Sequence, residues 1–213
     1  RHMDCMELMA EYPDNHFDLA VVDPPYGIGV CKTGKLGASS NERWSNPKQK
    51  TYKIAEWDSE PPPIEYFDEL FRVSKNQIIW GANHFMDKVM RASPSWIVWD
   101  KKTGDNNYAD AELAYTSHKK SVRIWEGLWK GFQRCEVVDR IHPTQKPVKL
   151  YDWIFANYAD KGMKILDTHL GSMSSAIACH YASMHLTGCE LDEDYFKAGC
   201  ERVQRETRQL MFL

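Results

Sequence analysis

Short apolar runs alternate along the chain with longer stretches in which apolar residues recur every three or four positions. The runs at 19–22, 77–80, 96–99, 163–167 and 185–190 are too short for helices. They are rich in β-branched and aromatic residues, so they read as buried strands. Tyr66, Phe67, Leu70, Phe71 and Val73 keep helical spacing after Pro61-Pro62-Pro63, and proline suits a first helical turn. Leu150, Tyr151, Ile154, Phe155 and Tyr158 do the same after Pro147, with Gly162 as the stop. Further helices are expected over 4–9, 84–90, 174–181 and 192–210, with Asp4 and Asp192 as N-caps. Segments 112–116 and 122–128 read as two strands paired with each other, antiparallel. Segments 28–57, 103–107 and 130–139 show no periodicity. Strands alternating with helices predict an α/β fold, a mostly parallel sheet with helices on both faces.

At 213 residues the chain is long enough for one domain with a full core, here 3–213. Arg1-His2 reads as a cloning remnant. There is no run of eighteen apolar residues and no secretory pattern at the start. The six cysteines show neither CxxC pairs nor finger-like Cys/His spacing, so they read as reduced thiols of a cytoplasmic protein, with no metal site. The net charge of −3 hides two basic clusters. Lys32, Lys35, Arg43, Lys48, Lys50 and Lys53 fall within the irregular stretch 28–57, with only Glu42 among them. His118, Lys119, Lys120 and Arg123 form the other. Such clusters are either solvated surface or the footprint of a phosphate backbone. The stretch 28–57 is longer than a compact domain needs, and its Trp44 and Tyr52 are free to stack on a base or fill a gap.

The chemistry concentrates where the strand 19–22 ends in Asp23-Pro24-Pro25-Tyr26-Gly27. Neither proline offers an N–H, so the strand must stop and the chain must bend stiffly. In open α/β sheets the carboxyl edge is where ligands bind. Asp23 offers an anionic acceptor, Pro24 a carbonyl and Tyr26 a flat face. Together they suit a planar ring that carries an exocyclic amine. Downstream, a strand, tight loop and helix over 165–181 precede a strand ending in Glu190, a pattern that holds nucleotide-like ligands and their ribose hydroxyls. No complete GxGxxG is present, which disfavours a dinucleotide site.

Three ordered motifs carry a resemblance. Asp23-Pro24-Pro25-Tyr26 resembles the DPPY motif of amino-methyltransferases acting on adenine N6 in DNA. His142-Pro143-Thr144-Gln145-Lys146-Pro147 resembles their HPTQKP segment, and Asp167-Thr168-His169-Leu170-Gly171-Ser172 their cofactor loop. The catalytic motif comes first and the cofactor loop last, as in the permuted β group of DNA methyltransferases. The resemblance implies a Rossmann-like fold, S-adenosylmethionine as cofactor, DNA as partner and homodimers as a common state. It implies catalytic roles for Asp23, Pro24, Pro25 and Tyr26. It implies cofactor contacts from Asp4, Cys5, Asp23, Thr144, Lys146, Asp167, Leu170, Gly171, Ser172 and Glu190. In that setting Lys32, Lys35, Arg43, Lys48, Lys50, Lys53, Lys119 and Lys120 become candidate DNA contacts, and 28–57 and 117–140 DNA-contacting insertions.

The loop departs from the pattern. Thr168 and His169 stand where proline and phenylalanine are common, and Met173 where a second glycine is. A positive φ at Met173 would cost ~1–2 kcal/mol, and a close backbone approach would let its side chain crowd the ligand. Cytosine C5 chemistry needs a Pro-Cys pair, which is absent. Cytosine N4 and RNA adenine remain as alternative substrates, as does a non-catalytic nucleic-acid-binding relative.

Overall fold

The computed structural model describes residues 1–29, 57–89, 91–103, 109–130, 133–136 and 138–208. Helix α1 (Cys5–Ala10) starts where Asp4 Oδ1 accepts from the N–H groups of Met6 and Glu7 at 2.7 and 3.3 Å. Strand β1 (Leu19–Val22) follows, then α2 (Ile64–Val73), β2 (Gln77–Trp80), a 3₁₀ turn (Ala82–His84) and the short α3 (Met86–Val89). Next come β3 (Trp96–Asp100), β4 (Ala111–Thr116), β5 (Arg123–Glu126) and a small hairpin of β6 (Trp129–Lys130) and β7 (Gln133–Arg134). The chain then runs through α4 (Val148–Tyr158), β8 (Lys164–Asp167), α5 (Ser174–Tyr181), β9 (His185–Gly188) and α6 (Glu193–Arg208).

Seven strands form one sheet in the order β5-β3-β4-β2-β1-β8-β9, parallel except for β4. Every residue of β1 and β2 is buried, because helices cover both faces. Leu19, Val21, Ile78, Trp80 and Ile165 pack under α4 and α5. Ala20, Val22, Ile79 and Leu166 pack under α1 and α2. Each fully buried aliphatic contributes about 1.5–3 kcal/mol. This is the α/β architecture expected from the pattern, and the Rossmann-like fold that the resemblance implies.

Three local expectations need correction. Segments 112–116 and 122–128 do not pair, because β4 uses its hydrogen bonds on one side for β2 and on the other for β3. Strand β5 pairs with β3, in parallel, and becomes an edge. The helix expected over 84–90 is divided, because Gly81 takes a left-handed conformation (φ 68°) that opens a tight turn and Phe85 then leaves helical geometry. Segment 130–139 holds part of a hairpin. At the start of the chain His2 forms a bridge with Glu190, whose N–H donates to Arg1 O at 3.0 Å. Among the described residues no helix is long and apolar enough to cross a membrane.

Candidate active site

Strand β1 lies where the chain order reverses, with β2 on one side and β8 on the other. A crevice opens at such a switch point, outside the carboxyl ends of the strands. Asp23 stands at its centre. The bend after it is held by Asp58, whose Oδ1 accepts from the N–H groups of Tyr26 and Gly27 at 2.8 and 3.0 Å. Asp58 is buried and has no local sequence signature, since its partners lie more than thirty residues away.

A buried cluster surrounds the Asp23 carboxylate. Tyr26 OH donates to Asp23 Oδ1 at 2.8 Å, and Lys146 Nζ lies 2.6 Å from Asp23 Oδ2. The same Nζ lies 3.0 Å from Glu112 Oε2 and 3.2 Å from Tyr26 OH. Lys101 pairs with the other oxygen of Glu112. Burial raises the Asp23 pKa against the pull of Lys146, with Glu112 adding to the rise. Burial works against charge on Glu112 too, yet Lys146 and Lys101 hold it down to about 2. Glu112 and Lys101 were not visible as site residues in the sequence.

The Tyr26 ring lies on Gly81 and stacks against His84, with centroids 5.0 Å apart. A Cβ at Gly81 would fall 2.0 Å from the ring, which is why glycine stands there. Tyr26 therefore does not line the adjoining cavity, and His84 occupies a face expected to receive a planar ligand.

That cavity measures about 460 Å³ and is lined by Asp23, Pro25, Asp4, Cys5, Thr144, Lys146, Leu170, Gly171, Ser172 and Glu190. Trp57, His142, Tyr151, His169 and Tyr195 are also among its walls. The volume suits a small organic ligand. Glu190 Oε2 accepts from Gly171 N–H at 2.8 Å and Oε1 from Asp192 N–H at 2.9 Å, which fixes the carboxylate and leaves each oxygen a lone pair. Both capping bonds of Asp4 fall on Oδ1. Thr144 Oγ1 sits 3.1 Å from His142 Nδ1. Lys146 aims its ammonium at Asp23 and Glu112 rather than into open space.

Asp167 departs from its expected orientation. Its carboxylate accepts from Ser175 Oγ at 2.5 Å and from His169 N–H at 3.1 Å, and it does not line the cavity. Burial pushes its pKa up to about 7. Met173 does take a left-handed conformation (φ 59°), so the strain is present. The feared crowding is not: the side chain packs into α6, against Gly199, where a Cβ would meet Met173 Cγ at 2.7 Å. Arg202, fully buried on the same helix, donates from Nη1 to Ser172 O and Ser174 Oγ, both at 2.9 Å. Ser174 Oγ in turn donates to Lys146 O at 2.7 Å, tying the loop to the 142–147 segment. Thr168 Oγ1 hydrogen-bonds Tyr66 OH at 2.6 Å, which gives that unusual loop residue a purpose.

The basic clusters fare differently. Lys32, Lys35, Arg43, Lys48, Lys50 and Lys53, with Trp44 and Tyr52, lie outside the described residues. Lys119 and Lys120 follow β4, whose end pairs with the start of β2. They therefore sit at the amino edge of the parallel strands, opposite Asp23. Lys120 is further occupied by Asn157 O at 2.6 Å and the Tyr158 ring. Proximity in sequence was a poor guide here, because the antiparallel β4 carries the chain across the sheet.

Residues 63–201, more than half of the chain, match the N6_N4_Mtase family, described as DNA methylase. The chain belongs to that family. The match takes in the 142–147 segment and the loop after β8, while Asp23–Tyr26 precede it. The methylase is 25% identical to "Putative methylase YubD" of Escherichia coli (strain K12), over 97% of this chain and 91% of that protein. It is 23% identical to the type II methyltransferase M.ScaI of Streptomyces caespitosus, over 98% and 82%. Its fold is similar to that of M1.HpyAVI in complex with SAM, with TM-score 0.59, 18% identity, and 95% and 97% of the two chains covered. PvuII DNA methyltransferase, cytosine-N4-specific, has the same TM-score of 0.59 at 10% identity, over 97% and 90%.

Proposed function

We propose that this methylase transfers a methyl group from S-adenosylmethionine to the N6 amine of adenine in DNA, with the base turned out of the helix towards Asp23. One observation carries the reading: Asp23 and Glu190, from the ends of different strands, line a single cavity. The residues present fit the cofactor. Glu190 is fixed with lone pairs to spare for a ribose diol, Asp4 and Cys5 line the same cavity and would hold the adenine edge, and Met173 leaves the cavity clear. When bound, S-adenosylmethionine supplies a methyl group on a sulfonium, already activated, so no covalent nucleophile from the protein is required.

The protein's task is alignment. An adenine amine is a poor nucleophile because its lone pair is delocalised into the ring. Accepting its hydrogens at Asp23 and at the Pro24 carbonyl favours a pyramidal nitrogen and stabilises the positive charge that develops there. Alignment of this kind is worth ~7–11 kcal/mol. The proton shed afterwards passes to water. Turning the base out costs a few kcal/mol. Stacking on Tyr26 returns about 1–3 kcal/mol, and requires the exposed His84 to yield its place.

Wild type and Asp23→Asn, incubated with plasmid DNA and methyl-labelled S-adenosylmethionine, test the reading. The variant is expected to lose roughly 10²-fold or more of the transfer rate, with cofactor binding by calorimetry weakened at most slightly. Retained turnover would remove Asp23 from the mechanism.

A further inference from the structure

The proposed role of Asp23 creates a difficulty that the structure itself resolves. Both oxygens of Asp23 already accept from a partner, Oδ1 from Tyr26 OH and Oδ2 from Lys146 Nζ, and a carboxylate drawn on by a cation is a weaker acceptor for an arriving amine. The Lys146 side chain is only 4% exposed, so an ammonium released from Asp23 would be poorly solvated. A buried charge left unpaired is strongly unfavourable. Yet both partners of Asp23 already touch one other acid. Glu112 Oε2 lies 3.0 Å from Lys146 Nζ and 3.5 Å from Tyr26 OH.

Resting on the function just given, we propose that Glu112 is a positioning residue for Asp23: it offers Lys146 and Tyr26 a second seat, so that Asp23 is freed for the substrate amine. Glu112 does not line the cavity, so it acts through these partners rather than on the base. It is held still for the purpose. Its backbone lies opposite Trp99 in the β3–β4 register, and Lys101 fixes its other oxygen. Two lysines and two carboxylates leave the cluster neutral, so moving Lys146 from one acid to the other needs no new counter-ion.

Asp23 faces Lys146, Tyr26 and Glu112, and feels Tyr151 of α4 and Asp167 of β8 at longer range. Glu112 raises the Asp23 pKa, so its removal should lower it. Glu112→Gln in the full chain tests this with two readouts. Single-turnover methyl transfer to plasmid DNA should fall on the order of tenfold or more, with calorimetric affinity for S-adenosylmethionine unchanged. The carboxyl ¹³C resonance of Asp23 should titrate at lower pH than in wild type, a shift that loss of stability alone would not produce. Lys101→Met, which leaves Glu112 in place, should move the same titration to higher pH. An active wild type with a Glu112→Gln variant equal in rate and in titration would overturn the inference and leave the proposed function standing. A wild type that transfers no methyl group would overturn both.

Discussion

Asp23 and Asp58 show what a single residue does and does not announce. Asp23 was legible because its neighbours in sequence are its neighbours in space: a strand, two prolines and an aromatic ring. Asp4 and Glu190 were legible for the same reason, standing at the start of a helix and just beyond the end of a strand. Asp58 and Glu112 were not, because their contacts with Tyr26 span 32 and 86 residues. Nor could spacing show that Asp167 turns towards Ser175 and not the cavity, or that His84 lies on Tyr26. Asp58 nevertheless shapes the site. Replacing it with alanine removes two charge-assisted hydrogen bonds from the Asp23 bend, and should lower unfolding free energy by about 2–4 kcal/mol. Urea denaturation measures this, and methyl transfer should fall with it, since Tyr26 loses its anchor.

At the level of elements, existence and type were easier to read than pairing. The periodicity located β1, β2, β3, β8 and α5 closely, because burial on two faces forces continuous apolar runs and burial on one face forces helical spacing. Partnership of β4 depended on which strands compete for its two edges, which no local pattern states. The loop between β8 and α5 makes the same point. Met173 looked like a defect when only its own position was considered. With α6 in place it is one half of a fit, the other half being Gly199. Alanine at 199 should therefore destabilise the protein by about 1–2 kcal/mol by overpacking, although alanine favours a helix. In a Met173→Gly background the same change should stabilise by about 0.8–1 kcal/mol, the bare helical preference. Thermal unfolding of the four proteins in this cycle measures the reversal of sign.

For the whole molecule, one sheet edge concentrates the chemistry and the opposite edge carries Lys119 and Lys120. The burial that builds the active edge also writes a pH dependence into stability. Asp167 keeps its proton to about pH 7 when folded, and to about 3.9 when unfolded. Its contribution to stability is thus full below pH ~4 and is lost as the pH rises through 7. His142 and His169 act oppositely, because burial presses their pKa values to about 3 and 4. Their contribution is full above ~6.5 and is lost as the pH falls. Comparing wild type with Asp167→Asn separates these effects. The advantage of wild type over the variant should be larger at pH 5 than at pH 7.5 in chemical denaturation, and a constant difference would contradict the buried, protonated acid.

All of this rests on an aspartate at the switch point holding the amino edge of a base. The most direct measurement is nucleoside analysis of plasmid DNA after incubation with the wild-type methylase and labelled S-adenosylmethionine. The account predicts label in N6-methyladenine, and roughly 10²-fold less of it in DNA given the same incubation with Asp23→Asn. Label in N4-methylcytosine, or no label in either base, would contradict it.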